Sequence, residues 1–164
     1  MIGLLDQLLQ TDTGRDLIGQ LLFCAHPTTL VPSLDYGKGF QTFPLGLAAL
    51  RQPNGQSAGG AGSLITIPIS HLQNTERSVI LNIGSPPESP PLTVILGHEL
   101  IHAVHNSQGE NDYFFPPNSV VSGSPNREEE RTCCEYTSPE NQLRAELNLP
   151  MRMVYPGRID RVTP

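Results

Sequence analysis

Residues 98–102 read His-Glu-Leu-Ile-His, an HExxH motif inside the most apolar stretch near the middle of the chain. Positions i and i+4 of a helix share a face, so His98 and His102 can present imidazole nitrogens to one metal ion. Glu99 lies beside them, where it can act as a general base on water at that metal. The motif therefore predicts a catalytic zinc site on a helix at 92–106.

The surroundings of the motif support this prediction. A buried helix that carries two histidines and a glutamate without partners would be costly, because each buried polar group must be satisfied. Gly97 precedes the first histidine, and we expect its small size to let another backbone approach the helix closely.

A catalytic zinc ion needs a third protein ligand and one open position. The extended pattern HExxHxxGxxH is absent, because His105 stands at its glycine position and Gln108 at its third histidine. We expect His105 to be a neighbour of the ligands or a surface residue. The acidic run 128–130 is the better source, with one glutamate turned inward and two facing water. Weaker candidates are Glu110, Asp112 and Glu135.

The composition bears on the class of partner. The chain has 164 residues, a net charge of −6 and a single lysine, Lys38. It has no basic stripe, so we expect no nucleic-acid partner. No apolar run is long enough to cross a bilayer, and the N-terminus lacks the features of a secretory signal, so we expect no membrane partner. The length suits a single domain over 1–164.

Three cysteines, Cys24, Cys133 and Cys134, make a poor disulfide framework, because their number is odd and two of them are adjacent. This pattern favours a reducing compartment. Zinc binding by the adjacent pair is less favourable than binding by histidine and carboxylate, since adjacent residues seldom point at one ion.

The N-terminal residues 1–26 contain two leucine-rich segments with helical spacing. Residues 11–14 interrupt the pattern and supply capping residues, and 16–23 resume it. We expect two antiparallel helices that pack on the rest of the domain, with a self-association helix as the alternative.

Two shorter helices are predicted near the C-terminus. Asn126 can cap a helix over 127–134. Ser138 followed by Pro139 is typical of the start of a helix, and Pro150 would stop it.

Strands are predicted at 28–32 and 63–69, separated by a turn-rich loop at 51–62. A proline ends the first strand, which favours a sheet edge, and Pro68 places the second at an edge or a strand end. An edge strand beside the HExxH helix could hold an extended substrate by strand addition. We expect an α+β fold with a small mixed sheet, helices on one side and the HExxH helix under an edge strand. The polar segment 106–126, with aromatic residues at 113–115, is predicted to be a long loop near the site.

Three segments, in order, resemble the signatures of clostridial neurotoxin light chains: 98–102, the Glu-Glu-Glu-Arg-Thr of 128–132, and the Arg-x-x-Tyr of Arg152 and Tyr155. The stretch 140–155 is similar to the short NleD-like effector metalloproteases, which pathogenic bacteria inject into host cells by type III secretion. The resemblance covers roughly 92–158.

The resemblance implies a zincin-like, gluzincin-type metalloprotease whose zinc is bound by His98, His102 and Glu129. Glu99 would be the general base. The third ligand and the residues that stabilise the transition state would lie within 126–158, with Arg152 and Tyr155 facing the substrate carbonyl.

This chain departs from the toxin pattern at Glu130, where the toxins have leucine, so Glu128, Glu129 and Glu130 stay open as the third ligand. Arg152 and the phenol of Tyr155 suit an oxyanion as donors. The alternative for this pair is a surface ion pair and packing at the C-terminal edge.

Three further residues near the C-terminus, Glu140, Asn141 and Arg144, could surround the ligands or anchor a helix. We favour anchoring, because Glu140 and Arg144 form an i,i+4 pair.

We expect a monomeric zinc metalloendopeptidase that is secreted into the host cell cytoplasm and cleaves a host protein. A peptide deformylase is a weaker alternative, because its third ligand is a cysteine in a glycine-rich segment and Cys24 has no such setting. The other alternative is a non-enzymatic, zinc-stabilised binding module that engages a host protein through 113–115 and edge strands. Glu99 distinguishes the readings, since a structural zinc site needs no general base.

Overall fold

The computed structural model describes residues 2–34, 39–69, 79–80, 87–88, 90–112, 127–134 and 136–153. These residues have the predicted α+β architecture. The helices are α1 (Ile2–Leu8), α2 (Asp12–Phe23), α3 (Leu92–Gln108), α4 (Arg127–Cys133) and α5 (Pro139–Glu146), and a short 3-10 helix spans Leu47–Ala49. The strands are β1 (Thr28–Ser33), β2 (Gln41–Pro44), β3 (Ser63–Pro68), β4 (Val79–Ile80) and β5 (Pro87–Glu88).

The three longer strands form a mixed sheet in the order β1-β3-β2. In the sheet that the described residues form, β1 runs parallel to β3 and lies at an edge, as predicted, whereas β2 runs antiparallel to β3 at the other edge. β3 is therefore the central strand. Pro68 was expected to mark either an edge strand or a strand end, and the second alternative holds, because Pro68 is the last residue of β3. β2 was not predicted from the sequence.

Helix α3 carries the HExxH motif and packs against β2, β3 and the other described helices. It is buried along almost its whole length and ends at Gly109, whose φ of 69° is the left-handed conformation that favours glycine. The core joins Leu96 and Leu100 of α3 to Phe40 and Ile65 from the sheet side. The core therefore packs α3 directly against the sheet side.

Gly97 has a close neighbour on α5 rather than the backbone that we expected. A Cβ atom at this position would lie 2.4 Å from Leu143 Cδ2. Leu143 is fully buried, so the glycine allows α5 to pack directly against the helix that carries the motif.

Helices α1 and α2 both pack against α3, which confirms the predicted N-terminal helices. Thr11 caps α2, and its hydroxyl accepts a hydrogen bond from the Gly14 N–H at 3.0 Å. Gly14 lies inside α2, so the predicted break at 11–14 is too long. Gly14 does not break the helix; it lets α2 lie close to the end of α1. A Cβ atom on Gly14 would lie 2.1 Å from the carbonyl oxygen of Leu8.

The loop at 51–62 is bound to the C-terminal end of α3 by its backbone. Ala58 N–H donates to the Gly109 carbonyl and Ala61 N–H to the Asn106 carbonyl, each at 2.9 Å. Inside this junction the Asn106 amide donates to the Ser63 hydroxyl at 2.9 Å. The turn at residues 52–56, by contrast, is exposed.

Helix α5 begins as predicted, with Ser138 as its N-cap and Pro139 at its first position, but it ends at Glu146 rather than near Pro150. Asn126, Glu135 and the aromatic residues 113–115 lie outside the described residues. In the part of the chain that the structure describes, no helix combines the length and the apolar character that crossing a bilayer requires.

Candidate metal centre

Three side chains from two helices bring their ligand atoms together; we call His98, His102 and Glu129 the ligand cluster. The two Nε2 atoms of His98 and His102 are 3.0 Å apart. Glu129 places one carboxylate oxygen 3.0 Å from His98 Nε2 and the other 3.3 Å from His102 Nε2. The two rings meet edge to face at 86°.

The separations fit a bound zinc ion. Zinc bonds of about 2.0–2.2 Å at tetrahedral angles put neighbouring ligand atoms roughly 3.3–3.6 Å apart. The observed 3.0–3.3 Å therefore needs only small side-chain shifts. The donor set of two imidazoles and one carboxylate is also one that zinc enzymes use. His98 keeps 14% of its side chain exposed, so the cluster borders solvent.

Glu128 lies next to the cluster and binds the outer nitrogens of two histidines. Its Oε1 accepts hydrogen bonds from His102 Nδ1 at 2.9 Å and from His105 Nδ1 at 2.5 Å. His105 is thus a neighbour of the ligands, as expected. The expectation that two glutamates of the run face water is wrong, because Glu128 and Glu129 are both buried, at 1% and 4% exposure. Histidine partners for both carboxylates explain the burial.

Glu140 binds the outer nitrogen of the other histidine of the ligand cluster, His98. Its Oε2 lies 2.7 Å from His98 Nδ1, and its Oε1 accepts from Arg144 Nε at 2.7 Å. The i,i+4 pair that we favoured is present, and the same carboxylate also contacts a ligand. Each ring of the cluster is therefore held at Nδ1 by one carboxylate while its Nε2 faces Glu129, an arrangement that fixes ring orientation.

These contacts reverse the usual effect of burial on the histidines. Burial opposes the charged form of His98, but its hydrogen bonds to the carboxylates of Glu129 and Glu140 outweigh this effect and raise its pKa to about 9. Burial also opposes protonation of His102, and Glu128 and Glu129 raise its pKa well above the ordinary value. Although burial disfavours ionised carboxylates, His98, His102 and His105 hold the pKa values of their glutamate partners below the usual range. These partners are Glu128, Glu129 and Glu140.

Glu99 is buried but does not belong to the ligand cluster. Its Oε2 accepts a hydrogen bond from the Thr42 hydroxyl of β2 at 2.9 Å. The charge of Glu99 also raises the pKa of His102, so the carboxylate lies near the cluster. A carboxylate near the ligands but separate from them is suited to accept a proton rather than to bind the ion.

Arg152 lies on the His98 side of the cluster. Its guanidinium is 3.7 Å from Glu140 Oε2, so it pairs with a buried acid, whereas the alternative prediction was a surface acid. Asn141 fixes the Arg152 backbone from both sides, at 2.7 and 2.8 Å. Tyr155, the other residue predicted to face the substrate, lies outside the described residues.

The weaker acidic candidates that the structure describes are bound elsewhere. Asp112 pairs with Arg51 and Arg131, each at 3.0 Å. Glu110 pairs with the same two arginines at 3.4 Å. Both acids are paired with arginines, and neither is among the residues whose ligand atoms meet in the ligand cluster.

The adjacent cysteines are thiols, with their sulfur atoms 3.3 Å apart. Cys133 Sγ donates to the Glu129 carbonyl at 3.0 Å, and it also lies near His98 and Glu140. The hydrogen bond with Cys134 and burial together raise the Cys133 pKa. A thiol that resists ionisation is a poor zinc ligand, so this second grouping is less suitable than the ligand cluster.

Sequence reasoning missed Thr42, which no local pattern connects to Glu99. The sequence feature that singled out Glu140 was its i,i+4 spacing to Arg144. That spacing predicts an ion pair within one helix and gives no indication of the contact with His98. Comparison of the chain with protein-family models, with curated proteins and with solved structures finds no match.

Proposed function

We propose that the protein is a zinc-dependent metalloendopeptidase. The observation that carries the proposal is the convergence of His98 Nε2, His102 Nε2 and the Glu129 carboxylate at 3.0–3.3 Å. Three such ligands leave one coordination position open, which is typical of catalytic rather than structural zinc. The buried Glu99 beside them supports an enzyme, since a structural site needs no base.

In this proposal each side chain has a separate task. Zinc, when bound, supplies Lewis acidity and makes water a better nucleophile at neutral pH. Glu99 accepts the proton of the attacking water and passes it to the departing amine. Arg152 donates a hydrogen bond to the developing oxyanion. The resemblance implies that Tyr155 is a second donor to it. Glu128 and Glu140 keep the two imidazoles oriented.

The edge strand β2 is the proposed site for the substrate backbone. It lies at the edge of the described sheet and contacts α3. The sequence suggested such a strand beside the HExxH helix but placed it at 63–69, which is the central β3. An extended peptide added to β2 would run alongside Glu99.

The biological setting of the proposal rests on the resemblance. We propose that the chain acts as a monomer in the cytoplasm of a host cell, after type III secretion, and cleaves a host protein there.

Metal analysis and proteolysis test the function together. Zinc content is measured on wild type, Glu129→Gln and the matched control Glu130→Gln, and cleavage of a host-cell extract on wild type and Glu99→Gln. We expect about one zinc per chain in all but Glu129→Gln. We expect cleavage by wild type and none by Glu99→Gln. A wild type that takes up no added zinc would refute the proposal, and biological activity that survives in Glu99→Gln would indicate the zinc-stabilised binding module instead.

A further inference from the structure

The Thr42 hydroxyl lies against the residue proposed as general base. Its Oγ1 is 2.9 Å from Glu99 Oε2 and 3.0 Å from the Glu99 carbonyl oxygen, although the two residues are 57 positions apart in the sequence. Among the described residues, Thr42 alone hydrogen-bonds to the Glu99 carboxylate. The contact joins the edge strand β2 to the HExxH helix.

A threonine hydroxyl has one proton to donate, so it serves one of these two acceptors at a time. The carboxylate is the stronger acceptor, because hydrogen bonds to an ionised group are shorter and stronger than those to a carbonyl. With Oε2 engaged, Oε1 is the Glu99 oxygen that is left to accept a proton from water. The neighbouring carbonyl keeps the hydroxyl in place if the carboxylate turns.

The backbone of Thr42 points in a different direction from its side chain. Leu45 N–H donates to the Gly62 carbonyl at 2.8 Å, in register with the pairing of β2 and β3. Alternate residues of an antiparallel strand bond to the same neighbour, so Gln41 and Phe43 also face β3. The N–H and C=O of Thr42 therefore face the outer edge of the described sheet.

We infer that Thr42 is a positioning residue of the proposed reaction. Its hydroxyl holds the Glu99 carboxylate so that Oε1 meets the attacking water, and its backbone binds the extended substrate at the sheet edge. Thr42 would thus both bind the substrate backbone and orient the general base. The inference rests on the proposed function.

The test compares Thr42→Val, which removes the hydroxyl at nearly constant shape, with Thr42→Ser, which keeps it. The matched control is Thr66→Val, because Thr66 lies on the adjacent strand and its hydroxyl donates to the Gln41 carbonyl at 3.4 Å, not to Glu99. Zinc content, crystal structures, and kcat and KM on a fluorogenic peptide library are measured for each. Thr42→Ala replaces the valine variant if the latter melts below the control.

We expect equal zinc content in all variants and a displaced Glu99 carboxylate in Thr42→Val. We expect its kcat to fall about 10- to 100-fold while KM changes less than about twofold. Thr42→Ser and Thr66→Val should behave like wild type. An undisplaced Glu99 in Thr42→Val, or an equal loss of kcat in Thr66→Val, overturns the inference. If wild type cleaves no peptide, the proposed function fails, and the Glu99 position in the crystals still decides whether Thr42 orients it.

Discussion

At the scale of single residues, the carboxylates around the histidines do different work. Glu129 faces both Nε2 atoms, whereas Glu128 and Glu140 each hold an Nδ1 atom from behind. If the cluster binds a metal ion, the outer carboxylates would fix the tautomer in which Nε2 is directed at that ion and would raise the basicity of the ring. Their loss should therefore weaken metal binding although neither is a ligand.

Glu128→Gln should lower zinc affinity about 10- to 100-fold, since a neutral amide supports the His102 ring less well than a carboxylate does. Competition with a chromophoric chelator measures the affinity. Glu130→Gln is the control, because it removes a charge from the same helix turn outside the ligand cluster. Equal affinities for Glu128→Gln and wild type would show that the Glu128 contact does not support the ligand.

Zinc binding should release protons at neutral pH. The pKa of His98 is about 9, so at pH 7.5 that ring holds its proton in the metal-free protein, and the raised pKa of His102 favours a proton on the second ring as well. Zinc binds neutral imidazole, and up to about two protons should leave per ion. Above the pKa of His98 the number should fall, because that proton has already dissociated.

Titration calorimetry in buffers of different ionisation enthalpy gives the number of protons released. A value near zero at pH 7.5 would mean that the rings are neutral before zinc binds, and that the carboxylates do not hold them charged.

At the scale of elements, the position of the ligand cluster depends on the packing of α3 against α5. Gly97 lets Leu143 reach the surface of α3, one residue before His98. α5 carries both Leu143 and Glu140, so the contact that packs the helix also sets the carboxylate behind His98.

Gly97→Ala should destabilise the protein by about 1–3 kcal/mol, because the added methyl group overlaps a buried side chain. Urea unfolding measures the change. Leu143→Ala in the same chain makes room for the methyl group, so Gly97→Ala should then lower the free energy of unfolding much less. Equal costs in both backgrounds would show that Leu143 is not the group that the methyl meets.

Local spacing predicted much of this arrangement, and it failed where contacts are distant. The HExxH spacing places His98 and His102 on one helix face, and the caps of α2 and α5 follow from Thr11 and Ser138. Adjacent glutamates carry no spacing signal that separates Glu129 from Glu128. β2 is only four residues long, and its contact with Glu99 spans 57 positions. Proline suits an edge or a strand end equally well, so it could not show that β3 is central.

At the scale of the whole molecule, a metal ion in the ligand cluster would join α3 to the seven-residue α4. Ligands that bind only the folded state stabilise it by mass action, by about 2.7 kcal/mol at a hundredfold excess over Kd. We expect zinc to raise the melting temperature and a chelator to lower it.

Calorimetric melting with zinc and with chelator checks this expectation on wild type, Glu129→Gln and Glu130→Gln. The zinc-dependent rise should shrink in Glu129→Gln and persist in Glu130→Gln. A rise of the same size in Glu129→Gln would place the stabilising ion at another site.

The loop that meets the C-terminal end of α3 also determines where the chain accepts added sequence. Residues 52–56 close their own exposed turn through hydrogen bonds between Gln52 and Gln56 and between Gly55 and Gln52. Ala58 and Ala61 instead donate to the backbone of α3 and its cap. An epitope tag inserted after Asn54 should therefore leave the fold intact, whereas the same tag after Ala58 should detach the loop from α3.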